Sequence, residues 1–244
     1  MPFERYTVPV AGRSDAAIDD ELTRLRAELA AEYDLREVAH RFGESDFAFL
    51  SVLDSYALLD RIDPAAFVKD EQMPYWAEIW PAAVTLSRQI MESGELAGKS
   101  VLELGAGVGM ASIAAAKSGA RVLCTDYSAE ALRFVAWNAM RNRVALDTAR
   151  LDWRLVKGDE KFDVIIAADV LYERVNLLPI VTAIDALLAP GGAAFIADPR
   201  RRLAEQFLEL VHENGFRIAE TRMFDADGDQ TVAVTIYKLE RATA

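Results

Sequence analysis

The residues with the clearest chemical potential lie at positions 103–109, where Glu103 is followed by glycines at 105, 107 and 109. The apolar residues 101–104 come directly before, so the pattern predicts a buried strand that leads into a tight turn and a helix. Glycine there lets the backbone turn sharply and approach a ligand that a Cβ atom would exclude. The alternative interpretation is a strand-to-helix turn that binds nothing.

The spacing of these glycines separates two classes of nucleoside cofactor. A nicotinamide-binding loop has the form G-x-G-x-x-G, and its third glycine would fall at Met110. An acidic residue followed by glycines at alternate positions is instead typical of S-adenosylmethionine (AdoMet) sites. The sequence therefore favours AdoMet, and a nicotinamide oxidoreductase is the less favoured alternative.

Acidic residues also follow the next two predicted strands. Asp126 comes after strand 121–125, and its carboxylate can accept hydrogen bonds from both ribose hydroxyls of an adenosine. Asp152 lies at the end of the predicted strand 150–153 and can accept from the adenine amine, while Trp153 supplies an apolar wall. The alternatives are a helix N-cap for Asp126 and a surface turn for Asp152.

The next predicted strand, 162–168, leads into the segment Asp169-Val170-Leu171-Tyr172. Amino-methylating enzymes often carry Asn/Asp-Pro-Pro-Tyr at this place, where a polar side chain holds the amine and an aromatic ring packs beside it. The chain keeps the acid and the tyrosine at that spacing without the prolines, so Asp169 and Tyr172 are the candidate catalytic residues. Alternatively, Asp169 caps the next element and Tyr172 belongs to the core.

The elements that position these residues alternate between strand and helix from about residue 73. Helices are predicted at 82–91, 110–117, 129–141, 177–188 and 203–213, and strands at 101–104, 121–125, 150–153, 162–168 and 193–198. This alternation predicts a parallel sheet with helices on both faces. The last two strands, 216–224 and 231–239, have no helix between them and must pair antiparallel. The predicted fold class is α/β, with the Rossmann-like class I methyltransferase architecture: a mostly parallel seven-stranded sheet that ends in an antiparallel hairpin.

Residues 1–72 are predicted to form an N-terminal helical appendage to the main domain, which spans residues 73–244. Apolar residues recur every three or four positions between Ile18 and Tyr33. A second apolar segment, 47–62, ends before Asp63-Pro64, where a helix is expected to stop. The appendage either covers one edge of the main domain or acts as a substrate lid or dimerisation element. The sequence leaves the oligomeric state open.

Charge and composition exclude several classes of function. The 27 basic and 39 acidic residues give a net charge of −12, so the chain lacks the cationic surface that a nucleic-acid backbone requires. Basic substrates or partners fit better. A single cysteine and two histidines exclude a disulfide framework, and no metal site is expected. There is no secretory signal and no uncharged apolar stretch of about 18 residues, so a cytoplasmic location without a membrane partner is expected. For a eukaryotic source, an organelle matrix is the alternative.

Taken together, the motifs resemble the family 16 group of seven-strand methyltransferases, which includes many protein lysine methyltransferases. The resemblance covers roughly residues 74–239. It rests on the segments at 74–81 (Pro-Tyr-Trp-Ala-Glu-Ile-Trp-Pro), 102–109, 126–127, 151–153, 168–172 and 198–199. The first and last of these segments are most similar to the methyltransferases that act on the electron-transfer flavoprotein β-subunit. The family's Asp-Pro-Gly-Arg appears here as Asp198-Pro199-Arg200-Arg201, and the N-terminal appendage does not match clearly.

The resemblance implies transfer of a methyl group from AdoMet to a lysine side chain of a protein substrate. The sulfonium already activates the methyl group, so the enzyme must chiefly align an amine behind it. Lysine in water has a pKa of about 10.4 and is mostly protonated. Asp169 could guide the ammonium, and desolvation by Tyr172, Trp80 and Tyr75 would favour loss of its proton. The alternatives are a methyltransferase for a small amine or another metabolite, and a non-catalytic AdoMet-binding module.

The residues expected to bind AdoMet come from each of these motifs. They are Trp80, Glu103, Gly105, Ala106, Gly107, Asp126, Tyr127, Asp152, Trp153 and Asp169.

Overall fold

The structure, a computed structural model, describes residues 4–61, 73–156, 160–227 and 230–242. The strands are β1 (Arg5–Thr7), β2 (Leu35–Phe42), β3 (Ser45–Val52), β4 (Ser100–Leu104), β5 (Arg121–Asp126), β6 (Asp147–Arg150), β7 (Phe162–Ala168), β8 (Leu188–Asp198), β9 (Phe216–Asp227) and β10 (Gln230–Arg241). Within the described ranges, one large sheet has the order β1-β6-β5-β4-β7-β8-β10-β9. Its five middle strands are parallel, whereas β1 and the β9–β10 hairpin run antiparallel. The predicted parallel sheet with a terminal hairpin is confirmed.

Helices cover both faces of this sheet, as predicted. They are α1 (Asp15–Ala30), α2 (Pro81–Ser93), α3 (Met110–Lys117), α4 (Ala129–Arg141), α5 (Arg174–Leu187) and α6 (Ala204–Glu213). Neighbouring residues of β4 point to opposite faces: Val101 joins the apolar cluster under α2, α3 and α4, and Leu102 joins the cluster under α5 and α6. The sheet therefore separates two hydrophobic cores.

The parallel strands bring the predicted site motifs to one edge of the sheet. Strands β4, β5, β7 and β8 share one direction, so the loops that follow Leu104, Asp126, Ala168 and Asp198 emerge at the same edge. This carboxyl edge is where ligands bind in open α/β sheets.

The N-terminal segment contains less helix than predicted. Helix α1 is confirmed, but the second predicted helical segment begins as β3, which pairs antiparallel with β2 across a turn at Gly43. Of its later part, the structure describes only a short 3-10 helix, Tyr56–Arg61. The physical reason is an alternation of period two: Phe47 and Phe49 are buried in the core, with the less buried Ala48 between them. The predicted helix stop at residues 63–64 lies outside the described residues, as does the end of the appendage at 72, so the domain boundary stays a prediction.

Strand β1 extends the predicted seven-stranded sheet by an eighth strand at its edge. Residues Arg5 to Thr7 pair antiparallel with Ala149 to Asp147 of β6. This strand was not predicted, because three residues are too few to show a periodicity.

Two asparagines, Asn138 in α4 and the C-cap residue Asn142 just after it, hold β3 against the rest of the protein. The Asn138 side chain accepts from the Leu50 N–H at 2.7 Å and donates to the carbonyls of Leu50 at 3.1 Å and Val108 at 2.9 Å. Asn142 makes the corresponding pair of bonds with Ala48. These amides satisfy the outer edge of β3, which would otherwise carry unpaired backbone groups. Through Val108, Asn138 also links this hairpin to the glycine-rich loop.

No helix in the described part of the chain is long and apolar enough to span a membrane.

Candidate active site

An open cleft of about 900 Å3 lies at the carboxyl edge of the sheet. The glycine-rich loop, the ends of β5 and β7, and the segment 73–80 form its walls. All but one of the predicted site residues line it: Trp80, Glu103, Gly105, Ala106, Gly107, Asp126, Tyr127, Trp153, Asp169 and Tyr172. The exception is Asp152. Residues from five separate motifs thus meet in one cavity.

The glycine-rich loop allows an aromatic wall to approach the backbone closely. Gly105 has a φ of +67°, and a Cβ atom there would lie 3.0 Å from Cζ3 of the Trp153 indole. Gly107 has a φ of +55°, and its Cβ atom would lie 3.2 Å from the Trp76 carbonyl oxygen. A side chain at either position would therefore be strained and would push the wall away from the loop. The result is that the Trp153 indole packs directly against the backbone of the loop at Gly105.

Asp126 is held with its carboxylate at the cleft. Its two oxygens accept from the backbone N–H groups of Gly107 and Ser128, both at 2.8 Å. Burial raises the pKa of Asp126 to about 6, although these hydrogen bonds stabilise the charged carboxylate and act in the opposite direction. The N-cap of α4 is Ser128, whose Oγ accepts from Ala131 N, so the capping alternative for Asp126 is wrong. Each carboxylate oxygen keeps a lone pair for a further donor.

Glu103 lies deeper than Asp126, at the floor of the cleft. Glu103 is 2% exposed, and its Oε2 accepts from the Ser112 N–H at 2.9 Å. The carboxylate therefore links β4 to α3. Burial raises the pKa of Glu103 to about 8. The side chain therefore keeps its proton more often than not at neutral pH.

Asp152 is not brought into the cleft. Strand β6 ends at Arg150, earlier than predicted, and Asp152 instead caps the short 3-10 turn Trp153–Leu155. Its carboxylate pairs with the guanidinium of Arg154 at 2.8 Å. Trp153 is therefore the member of the pair that faces the cleft. The Tyr127 ring lies nearby, with the guanidinium carbons of Arg150 and Arg154 at 4.9 and 5.4 Å from its centroid.

Three aromatic residues form the far wall, as expected. The rings of Tyr75 and Tyr172 lie 4.6 Å apart, and the rings of Tyr75 and Trp80 lie 6.3 Å apart. The Trp80 indole N–H donates to the Tyr75 carbonyl at 2.9 Å, which fixes the orientation of the indole. Burial raises the pKa of the Tyr172 hydroxyl, which stays protonated at neutral pH. This wall is apolar and carries no fixed charge of its own.

A family model described as lysine methyltransferase matches residues 67–214, which is more than half of the chain. The chain belongs to this family. The match confirms the predicted family.

Individual relatives agree with this family. The human electron transfer flavoprotein beta subunit lysine methyltransferase is 35% identical over 102 residues, which are 41% of this chain and 39% of that protein. The chain thus spans about two fifths of the length of the first curated relatives that it matches.

Solved structures agree with the predicted fold. The ribosomal protein L11 methylase of Lactobacillus delbrueckii has a TM-score of 0.53 and 25% identity over 68% of this chain and 81% of its own. N-methyltransferase NodS of Bradyrhizobium japonicum, in complex with S-adenosyl-l-homocysteine, has a TM-score of 0.51 and 19% identity, and covers 75% of this chain and 97% of its own.

Asp169 lies in the cleft as predicted, but it already has an ion-pair partner within the protein. Its side chain is 1% exposed, and Oδ1 accepts from Arg201 Nε at 2.7 Å. The other oxygen, Oδ2, is buried and has no hydrogen-bond partner among the described residues. A substrate cation was expected to supply the partner that a buried carboxylate needs, but Arg201 already supplies one.

Arg201 is the main site residue that the sequence analysis missed. Its guanidinium carbon lies 5.5 Å from the centroid of the Trp80 ring, and its backbone N–H donates to Asp198 at 2.8 Å. Asp198 is fully buried, which raises its pKa to about 6, and its Oδ1 has no hydrogen-bond partner in the described chain. The family's Asp-Pro-Gly-Arg pattern was the available signal, because it aligns Arg201 with the family's arginine.

The same pattern explains the backbone at Arg200. This residue takes the place of the family's glycine and has a φ of +65°, in the left-handed region that glycine adopts without strain. Arg200 and Arg202 are exposed on either side of the inward-facing Arg201.

Proposed function

We propose that this protein transfers a methyl group from AdoMet to the side-chain amine of a lysine in a protein substrate. The observation that carries the proposal is the junction of two cavities. The cofactor cleft meets a second, open groove of about 1180 Å3, and both cavities are lined by Glu78, Ile79, Trp80 and Asp169. A donor in the cleft and an acceptor in the groove would meet at this junction, as a transferase with two substrates requires.

The cleft has the chemistry to hold AdoMet. The Trp153 indole lines the cleft and offers a flat apolar face that suits the adenine ring. Gly105 packs against the same indole, so a side chain there would displace it. The free lone pairs of Asp126 suit the ribose hydroxyls. When bound, AdoMet supplies a methyl group that its sulfonium has already activated.

The protein's own residues then prepare the acceptor amine. Tyr75, Trp80 and Tyr172 exclude water at the junction, and their faces attract a cation. Removal of water disfavours the charged form of a lysine, so its proton is lost more readily than in solution. Asp169, fixed by Arg201, orients the amine towards the cleft. Because the lysine amine is itself the nucleophile, no covalent intermediate is needed.

The groove favours a polypeptide acceptor over a small metabolite. Its outer part includes Leu53 and Tyr56, whose exposed fractions are 56% and 76%. Small-molecule sites enclose most of their ligand, whereas exposed apolar side chains beside an open groove suit an extended chain. The net charge of −12 also attracts basic segments. A small-amine acceptor remains the second candidate.

The proposal is tested by incubation of the protein with AdoMet that carries a labelled methyl group, together with lysate of the source cells. Label on a protein band that yields methyllysine on hydrolysis is the expected result. Label only in the low-mass fraction would favour the small-amine alternative. Binding of AdoMet without any label would favour a non-catalytic module. The cytoplasmic location rests on composition and stays a prediction, which fractionation of the source cells would check.

A further inference from the structure

Glu78 occupies a position that the proposed chemistry does not yet use. It follows the short turn Tyr75–Ala77 and is half-buried. A third, smaller cavity adjoins the cofactor cleft and the groove, and of the residues at this meeting point only Glu78 and Trp80 line all three cavities. A carboxylate here lies between the cleft proposed for AdoMet and the groove proposed for the acceptor. It can therefore contact an acceptor group that enters the cleft from the groove.

The Glu78 carboxylate is oriented by the N-terminal segment. Ser55, in the loop after β3, donates from its hydroxyl to Oε1 of Glu78. The second oxygen, Oε2, has no hydrogen-bond donor in the described part of the chain, and no described lysine or arginine pairs with Glu78. Ser55 thus orients the Glu78 carboxylate, which has no cationic partner among the described residues.

Asp169 differs from Glu78 in this respect. Its Oδ1 is bonded to Arg201, and its side chain is 1% exposed, so Asp169 is suited to orient the amine by hydrogen bonding rather than to attract a cation. Arg201 also lies against Trp80. A substrate ammonium that entered from the groove would therefore find Glu78 as the carboxylate at the junction without a cation of its own.

We infer that Glu78 is the residue that binds the ammonium group of the substrate lysine, and that Ser55 holds it in place. The inference deepens the proposed function and rests on it. A lysine side chain that passes Leu53 and Tyr56 would pair with Oε2 of Glu78 beside Trp80, and would then lose its proton to solvent in the groove. Residues of the N-terminal segment thus form part of the acceptor site.

The test compares steady-state methylation by wild type, Glu78→Gln, Glu78→Asp and a control, Glu209→Gln. The acceptor is the protein fraction that wild type labels in source-cell lysate. Glu209 is exposed on α6, so its variant makes the same change in net charge away from the site. Glu78→Gln should raise KM for the acceptor about 10-fold or more, since it removes one member of a charge pair. AdoMet affinity, measured by calorimetry, should change less than about 2-fold, and Glu78→Asp should recover part of the loss.

Ser55→Ala provides a second variant in case Glu78→Gln folds poorly. It leaves the charge in place but frees the carboxylate, so KM should rise about 3-fold at an unchanged melting temperature. Wild-type acceptor KM in both Glu78→Gln and Ser55→Ala would overturn the inference while leaving the proposed function intact. A wild-type protein that binds AdoMet but labels no protein would overturn the proposed function, and the inference with it.

Discussion

The Nε atom of Arg201 donates to Oδ1 of Asp169 at 2.7 Å, and the two side chains differ sharply in exposure, 35% against 1%. The guanidinium of Arg201 thus reaches inward from the run 200–202 and pairs with the Asp169 carboxylate, whose other oxygen has no hydrogen-bond partner among the described residues. Because Arg201 also lies on the Trp80 ring, this ion pair fixes the wall between the cleft and the groove. The pair is a structural part of the site before any substrate arrives.

The first prediction concerns this ion pair and the stability of the fold. Arg201→Ala leaves the Asp169 charge buried without a cation, which should lower the free energy of unfolding by about 2 kcal/mol. The value is taken below the range for fully buried pairs because Arg201 is partly exposed. Chemical denaturation at pH 7 measures it. Arg202→Ala removes an exposed neighbour of the same charge and should change stability by less than about 0.5 kcal/mol. Equal stability of the two variants would show that the pair contributes nothing.

The second prediction concerns AdoMet binding by Asp126. Asp126→Ala removes an acceptor for the ribose hydroxyls and should weaken AdoMet binding by about 2–3 kcal/mol. Isothermal titration calorimetry measures the affinity. The matched control is Glu209→Ala, which removes an exposed carboxylate of α6 that does not line the cleft. Unchanged affinity in a folded Asp126→Ala variant would remove Asp126 from the cofactor site.

The third prediction concerns pH and the buried Glu103. In the unfolded chain this group loses its proton near its ordinary value of 4.5, whereas in the folded protein its pKa is about 8. Between these values the folded state holds one more proton, so stability is greatest below pH 4.5 and is lost as the pH rises towards 8. Glu103→Gln cannot titrate and should remove a slope of about 1 kcal/mol per pH unit.

Urea denaturation of wild type and Glu103→Gln at pH 5, 6, 7 and 8 measures this slope. The variant should gain stability relative to wild type at each step upward. Two parallel stability curves would contradict the assignment of the raised pKa to Glu103. Glu209→Gln, at an exposed position, should follow wild type throughout.

The main domain was predicted more accurately than the appendage because its signals are local. Helices α3 and α4 begin and end where the sequence indicated, since glycine breaks and the Ser128 cap fix their ends. The segment 47–52 carried a short apolar run, which fits either helix or strand by pattern alone. Asn138 in α4 and Asn142 just after it bond the edge of β3, and these contacts are too distant in sequence to be anticipated.

In the candidate site too, residues that local patterns indicate were predicted, and contacts between distant loops were not. Most of the cleft residues were predictable because they lie at or just after the end of a strand, and parallel strands bring such residues to one edge. Trp80 lies before α2 instead and was predicted from the family resemblance. The Asp169–Arg201 pair was not, because it joins two different loops and no local pattern reports it. Asp152 was misplaced by a small error in the end of β6, which decided which side chain faces the cleft.

The fourth prediction concerns the backbone at Arg200, whose φ is +65°. Arg200→Gly and Arg200→Ala remove the same charge, but only glycine adopts this conformation without strain. The glycine variant should therefore be more stable than the alanine variant by about 1 kcal/mol. Thermal denaturation compares the two. An alanine variant at least as stable as the glycine variant would show that the loop relaxes when the side chain changes.

The last prediction assigns the chemistry to Asp169. Asp169→Asn keeps the size of the side chain but removes its charge, so it should lower kcat/KM for the acceptor about 10-fold or more, equivalent to at least ~1.4 kcal/mol of transition-state stabilisation. AdoMet affinity should change little, because Asp126 and the glycine-rich loop are untouched. The melting temperature should fall as well, because Arg201 loses its ion-pair partner.

Arg201→Ala separates the two effects of Asp169→Asn, because it breaks the same ion pair but keeps the Asp169 carboxylate. If Asp169 acts by orienting the amine, its variant should lose more kcat/KM than Arg201→Ala when both are corrected for the folded fraction. Measurement of activity and of denaturation in the same buffer allows that correction. If the two variants lose activity only in proportion to their unfolded fractions, Asp169 is structural, and the main reason for an amine acceptor disappears.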